Sequence, residues 1–319
     1  LPMRLRLPHL LLLPVVAALA VLPHARALNG AQESEEREFP NDAFYLQRAM
    51  PDGTIPSERI EAATDQLLFE RALAGKSGQF ATSAAQDWQP VGPINIGGRV
   101  NAVVALPGGQ TAFLGAANGG VWRSTDGGLH WGAISDAAGM GSVSALTLTP
   151  QNIHTIWAGT GDANGTVDGY DGRGLYVSRN EGVSWKYAGL REVAHISSVA
   201  VNPADSNKIY VGGMGKAFST DANRGFYRSL NNGRTWTKTL FVNDSTGVSD
   251  IAINPLHPDT IYCATWERIR RLKYRRAYGV HCAVWRSADG GGTWTKIING
   301  LPVPGDNLGR IAIAIAKEN

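Results

Sequence analysis

The chain has 319 residues, 43% of them hydrophobic, with 38 Gly and nine Trp. That apolar content supports a sizeable core and excludes wholesale disorder, and a net charge of +3 gives no argument for a nucleic-acid partner. The charge is unevenly placed: residues 28–87 hold eleven acids against five bases, while 267–276 hold six bases against one acid.

In chain order the first element is an address. Arg4 and Arg6 precede an apolar run from Leu10 to Leu22, and Ala25-Arg26-Ala27 supplies an A-x-A-like cleavage site. This is the layout of a secretory signal peptide over residues 1–27, so the expected product is secreted or periplasmic. Pro14 and Pro23 interrupt the run and leave it short for a spanning helix, so no membrane span is expected after cleavage. Residues 28–87 read as an acidic lead-in with one helix. Ser57 caps it, Ile60, Ala63, Leu67 and Leu68 share one face, and Gly75 marks its stop beyond Leu73. The small, polar stretch from Gly75 to Gln86 suits a linker. The region reads as a propeptide or a strap against the main domain.

From Trp88 to the end the chain repeats. Four octapeptides share one pattern, STDGGLHW, SRNEGVSW, SLNNGRTW and SADGGGTW, starting at Ser124, Ser178, Ser229 and Ser287. A short aromatic strand precedes each, and two further motifs recur in constant order, an inner run such as SVSALTLTP and a second such as KIYVGG. A period near fifty residues with four strand-like segments predicts a β-propeller of four-stranded blades. Four blades are present, and Gly309–Ala316 begins a fifth. An all-β propeller over 88–319 is therefore expected, incomplete within this chain, as in an N-terminal fragment.

The octapeptide is turn chemistry. It joins the third and fourth strands, its Gly allows positive φ, and Asp or Asn at the third position accepts backbone hydrogen bonds. Asp126, Asn180, Asn231 and Asp289 are thus read as structural, with Trp131, Trp185, Trp236 and Trp294 packing between blades. That two of the four are amides argues against a general acid there.

These residues resemble the Asp-box (BNR) repeat, S-x-D-x-G-x-T-W, found in sialidases, in xyloglucan-degrading glycoside hydrolases and in sortilin-type (Vps10) receptors. The phrases VGPINIGGRVNAV and GAANGGVWRSTDGG resemble exported bacterial proteins of the glycosyl hydrolase, BNR-repeat group. The resemblance implies the propeller fold and a polysaccharide or glycan ligand, with a non-catalytic, sortilin-like protein-interaction propeller as the alternative. It also implies that ligands meet the face opposite the octapeptides. The sialidase F/Y-R-I-P motif is absent, and where the xyloglucanases carry an acid before Gly-Gly this chain has Ala117 and Asn118.

On that opposite face the loop Gly161–Gly174 supplies Asp162, Asp168 and Asp171 as candidate catalytic carboxylates for O-glycosyl hydrolysis, one an acid and one a base or nucleophile. The same oxygens suit a calcium ion, and a solvated Gly/Asp turn cluster is the third reading. No other cofactor is implied. Arg99, Asn101 and Asn118 are placed to hydrogen-bond a sugar. Trp266 is a stacking platform or blade-edge packing, and Arg268 opens a basic run that holds an acidic saccharide or is simply solvated. Cys263 and Cys282 fall in neighbouring strands, as a disulfide or as two buried thiols.

Overall fold

The computed structural model describes residues 42–77, 97–166, 168–272, 274–302 and 308–316. The signal peptide and most of the linker expected above lie outside these residues. Asp42 apart, the described residues belong to one compact unit, Ala43–Asn319.

Two helices open it, α1 (Asp42–Arg48) and α2 (Ser57–Ser77). The sequence pointed to one helix ending at Gly75; the observed one runs on through Ser77. Its apolar face differs too. Ile60 and Leu67 are exposed, and the side turned to the blades carries Glu58, Glu61 and Asp65, which pair with Lys216, Arg191 and Arg173. Opposite charge, rather than apolar burial, chooses the docked face.

The remainder is four antiparallel four-stranded sheets, each in sequential order. Blade 1 holds β1 (Val100–Ala105), β2 (Ala112–Ala116), β3 (Val121–Ser124) and β4 (Gly132–Ala133). Blade 2 holds β5 (Val143–Thr149), β6 (Asn152–Thr160), β7 (Leu175–Ser178) and β8 (Lys186–Tyr187). Blade 3 holds β9 (Ile196–Val201), β10 (Ile209–Gly213), β11 (Gly225–Ser229) and β12 (Thr237–Leu240). Blade 4 holds β13 (Thr246–Ile253), β14 (Ile261–Glu267), β17 (Ala283–Ser287) and β18 (Thr295–Ile297), interrupted by a ribbon of β15 (Ile269–Arg271) and β16 (Tyr274–Arg276). The first strands β1, β5, β9 and β13 pack side by side in succession, as the inner strands of a β-propeller do.

The core lies between blades. Trp157, Leu175, Ile196, Ile209 and Val211 fill one interface, and Tyr210, Phe226, Val248 and Ile261 the next. Each buried aliphatic of this size contributes roughly 1.5–3 kcal/mol. Blade 1 has no described blade before it, so Val100 is 47% exposed where its counterparts Val143, Ile196 and Val248 are fully buried.

The four octapeptide turns are built alike. In the first, Gly128 N donates to Ser124 Oγ at 2.9 Å and His130 N to Asp126 Oδ1 at 3.0 Å. The same two bonds recur on Ser178 and Asn180, Ser229 and Asn231, and Ser287 and Asp289, all between 2.8 and 2.9 Å. Only Oδ1 accepts the recurring backbone bond, which is why Asp and Asn interchange. Two successive residues take positive φ, and in two turns the first is not glycine: Glu181 (φ 53°) and Asn232 (φ 58°). The Trp residues then clip blade to blade. Trp185 Nε1 donates to Ile134 O, Trp236 Nε1 to Ala188 O and Trp294 Nε1 to Thr239 Oγ1, each in the preceding blade. Trp131 bonds its own turn at Gly128 O.

Residues 311–316 alternate between half-buried and exposed and lie against β13, through Ser249 Oγ to Ile311 O and Ile313 N to Asp250 Oδ2. They take the place of a fifth inner strand, though without a ladder to another described strand. Cys263 and Cys282 are both free and buried. The register sets Cys263 opposite Trp285, three residues past Cys282, so the disulfide reading gives way to two buried thiols. Among the described residues no helix is long and apolar enough to cross a membrane.

Candidate functional site

Each inner strand carries a β-bulge, after the first paired residue at Val100, Val143 and Ile196 and after the third at Val248. The bulged residue reaches the next blade. Asn101 Nδ2 donates to Val143 O, Ser144 Oγ to Ile196 O, Ser197 Oγ to Val248 O and Ser249 Oγ to Ile311 O. Asn101, expected to bind sugar, therefore occupies a structural position common to all four blades. The residues just before Val100, Val143, Ile196 and Val248, namely Arg99, Ser142, His195 and Gly247, occupy one repeat position, and Arg310 falls in the fifth.

The loop between β6 and β7 ties these positions together. Asp162 is fully buried, and Arg99 Nη2 donates to its Oδ2 at 2.6 Å. The Thr166 hydroxyl donates to the same oxygen, while Asn101 Nδ2 and Asn164 N reach Oδ1 at 3.4 and 3.3 Å. Asn164 in turn receives Arg310 Nη1 at 2.5 Å and donates to Asn101 Oδ1 at 3.0 Å. Gly165 O accepts Arg268 Nη2 at 2.7 Å and Arg270 Nη1 at 3.3 Å from blade 4. One loop thus bridges blades 1, 2 and 4 and the 308–316 segment.

Of the sequence-nominated residues, Asp162, Asp168, Arg99, Asn101, Asn118 and Arg268 come together here. Asp168 is half-exposed, 3.6 Å from Arg99 Nη1, and Asn118 Nδ2 lies 3.5 Å from its carbonyl. Although desolvation pushes the Asp168 carboxyl up, Thr166 and Arg99 hold it below the usual range. Trp266 is 7% exposed, donates to Ala277 O at 2.7 Å, and lies under the guanidiniums of Arg268 and Arg310. It packs the blade edge and offers no open platform. The basic run is a ribbon with Arg268 and Arg270 buried, not a solvated loop. Burial and the neighbouring Arg270, Arg275 and Arg224 lower Arg268 to about 10.

Asp171 stands apart. Its Oδ1 lies 2.9 Å from His195 Nε2, close though poorly aligned for a hydrogen bond. Burial raises this carboxyl, but His195, Ser57 and Lys216 outweigh it and bring it down to about 2. Asp171 borders a cavity of about 530 Å³ on the face opposite the octapeptide turns. Asn118, Ser142, Thr160, Tyr170, Arg173 and Lys216 line its blade side, and Ser57, Ile60, Glu61 and Thr64 of α2 its other side. Among the described residues no three His, Cys, Asp or Glu side chains converge as a metal site; the Arg99 guanidinium stands between Asp162 and Asp168.

Sequence reasoning missed Arg310, Asn164, Thr166, His195 and Tyr170. Arg310 had a signal, since Gly309-Arg310-Ile311 repeats Gly98-Arg99-Val100. His195 shares that repeat position but not the residue type.

No family model and no curated protein matches this sequence. Among solved structures, the fold is similar to an ancestral GH74 enzyme, at 23% identity and TM-score 0.51 over 65% of this chain and 26% of that one. A GH74 xyloglucanase from Xanthomonas campestris is 18% identical, over 64% of this chain and 31% of that one, at TM-score 0.43. YCF48 bound to D1 peptide is 19% identical, over 68% and 60%, at TM-score 0.41. The chain spans about a quarter of the length of the ancestral enzyme. At these identities the likeness speaks for the propeller fold alone.

Proposed function

We propose that this propeller is an exported, glycoside-hydrolase-like protein that binds a glycan on the face opposite its octapeptide turns. The observation that carries the reading is the cavity of about 530 Å³, where an aromatic ring (Tyr170) stands among amide, hydroxyl and charged groups. Its volume falls within the roughly 300–1,000 Å³ of ordinary ligand sites, and ring plus hydrogen-bonding groups suits a sugar's apolar face and hydroxyl edge. The GH74 neighbours fit the same ligand class.

The described carboxylates serve binding and scaffold in this reading, not bond cleavage. A glycosidase needs a general acid whose pKa is raised. Asp162 is sealed against Arg99, Asp168 is held low, and Asp171 is ionised throughout the neutral range. The test is calorimetric titration with a panel of neutral and acidic polysaccharides, alongside reducing-sugar release. Tyr170→Ala is expected to weaken glycan binding about ten-fold, and Asp162→Asn, Asp168→Asn and Asp171→Asn to leave any sugar release unchanged. Failure of every glycan to bind, or indifference to Tyr170→Ala, would sink the reading.

A protein-interaction propeller is the second reading. Phe44 and Leu46 of α1, with Leu67, Phe69 and Leu73 of α2, are exposed, and such apolar groups are what a partner protein covers.

A further inference from the structure

Three cations on the face opposite the octapeptide turns stand in an ordered row. Arg173 ends the β6–β7 loop, Arg191 lies between β8 and β9, and Lys216 lies between β10 and β11, so three successive loops contribute one each. Every one of them is engaged by α2. Lys216 Nζ is 2.5 Å from Glu58 Oε1, Arg191 pairs with Glu61 and Asp65, and Arg173 pairs with Asp65. The acids sit at i, i+3 and i+7, one stripe of the helix about 10 Å long. The hydrogen bond between them holds Glu58 below its ordinary range and Lys216 above its own.

Among the described residues the helix is also tied to Asp171 by the Ser57 side chain. Ile60, Leu67, Phe69 and Leu73 are exposed, and Leu68 meets the blades beside Gly139. The acids are exposed, Glu58 74% and Asp65 45% accessible, although Arg173 is only 12% accessible. Pairs of this kind each shift an equilibrium by no more than about five-fold and weaken with salt. Arg173 also keeps capacity in reserve, since its Nε and Nη1 are buried and find no hydrogen-bond partner among the described residues. Both two-pronged edges of the guanidinium include Nη2, which Asp65 holds, so a carboxylate taken in fork fashion must displace Asp65.

We infer that Arg173, Arg191 and Lys216 form a docking row for an acidic glycan, and that α2 occupies this row as a competitor carried in the same chain. The inference rests on the glycan reading above and narrows it to carboxylate-bearing sugar chains. A flexible polyanion offers the row what the helix stripe offers, charge at repeated intervals. Its binding displaces α2 and opens the cavity that α2 walls on one side.

The experiment uses the full chain, with polygalacturonate and a neutral xyloglucan oligosaccharide as probes. Weakening the latch with the double variant Glu61→Gln, Asp65→Asn is expected to tighten polygalacturonate binding about five- to twenty-fold. Removing the row with Arg191→Gln, Lys216→Gln is expected to abolish that binding. Both variants change exposed side chains, and a circular dichroism melt checks that each is folded. Amide exchange across residues 58–70 should speed up when polygalacturonate is added and stay unchanged with the neutral sugar. Unchanged or weaker binding by the latch variant overturns the inference, as does unaltered exchange in α2. Neutral binding that depends on Tyr170, with no polygalacturonate binding even in the latch variant, overturns the acidic row and leaves the glycan reading standing. Failure of both probes overturns both.

Discussion

Asp162→Ala removes a carboxylate with no exposed surface, on which Arg99, Thr166, Asn101 and the Asn164 backbone converge. Breaking a wholly buried ion pair by deleting one partner costs about 3–5 kcal/mol. Arg99 is 37% exposed and regains water, so the cost falls to about 2–3 kcal/mol, near that of losing charge-assisted hydrogen bonds. For a domain of this size 1 kcal/mol moves the melting midpoint by about 2–4 °C, so a loss of roughly 4–12 °C is expected in differential scanning calorimetry. Asp168→Ala is the internal control. That side chain is half-exposed and lies 3.6 Å from Arg99, a pair worth at most about 1 kcal/mol. Asp162→Asn retains an acceptor for Arg99 and should fall between the two. Equal midpoints for Asp162→Ala and the unmodified chain would refute the argument that this loop is held by a buried charge. A rise in stability on removing Asp162 would point instead to a strained functional acid.

The Trp residues divide into two classes. Trp185→Ala, Trp236→Ala and Trp294→Ala each lose a bond to the preceding blade along with packing, for about 2–4 kcal/mol apiece, whereas Trp131→Ala loses only a bond within its own turn; urea titration should rank Trp131→Ala mildest. Asp171 has its folded pKa depressed to about 2, so its stabilisation is present above the ordinary carboxylate range near pH 4 and drains away as pH falls toward 2; the acid limb for Asp171→Asn should be shallower by about 2 kcal/mol across that window. At Gly172 an added Cβ would overlap the backbone at Gly161 N and Thr160 C, and because backbone cannot yield as a side chain does, Gly172→Ala should cost more than about 3 kcal/mol and show as a markedly lower thermal midpoint.

The blades were legible because their signals are local and repeated. A Ser, an Asp or Asn two residues on, then Gly and Trp specify one turn, and the sequence states it four times. The docking of α2 was not legible. Hydropathy marked Ile60 and Leu67 as the buried face, yet the partners that decide the matter, Arg173, Arg191 and Lys216, lie more than a hundred residues on. Helical periodicity cannot see charges that distant. The cysteines stayed open between a bridge and two buried thiols for a similar reason: neighbouring strands were foreseen, but the register that sets them three residues apart was not.

Asp162, Asp168 and Asp171 look alike in a Gly/Asp-rich loop, yet they diverge in the fold. The repeat explains the first. Ala117 N and Gly161 N each donate to the residue before an inner strand, Arg99 O and Ser142 O, so Asp162 holds in blade 2 the position of Asn118 in blade 1. The contacts of Asp162 with Arg99 and Asn101 of the preceding blade follow from how the two blades pack, not from the repeat position. Asp168 and Asp171 lie in an insertion without counterpart in blade 1, where β2 and β3 are joined by four residues, 117–120. Their surroundings depend on where that insertion travels, toward Arg99 for one and toward His195 and α2 for the other. Composition therefore nominated three acids, the repeat position assigns one of them to the scaffold, and the insertion leaves the other two on the face where the cavity lies.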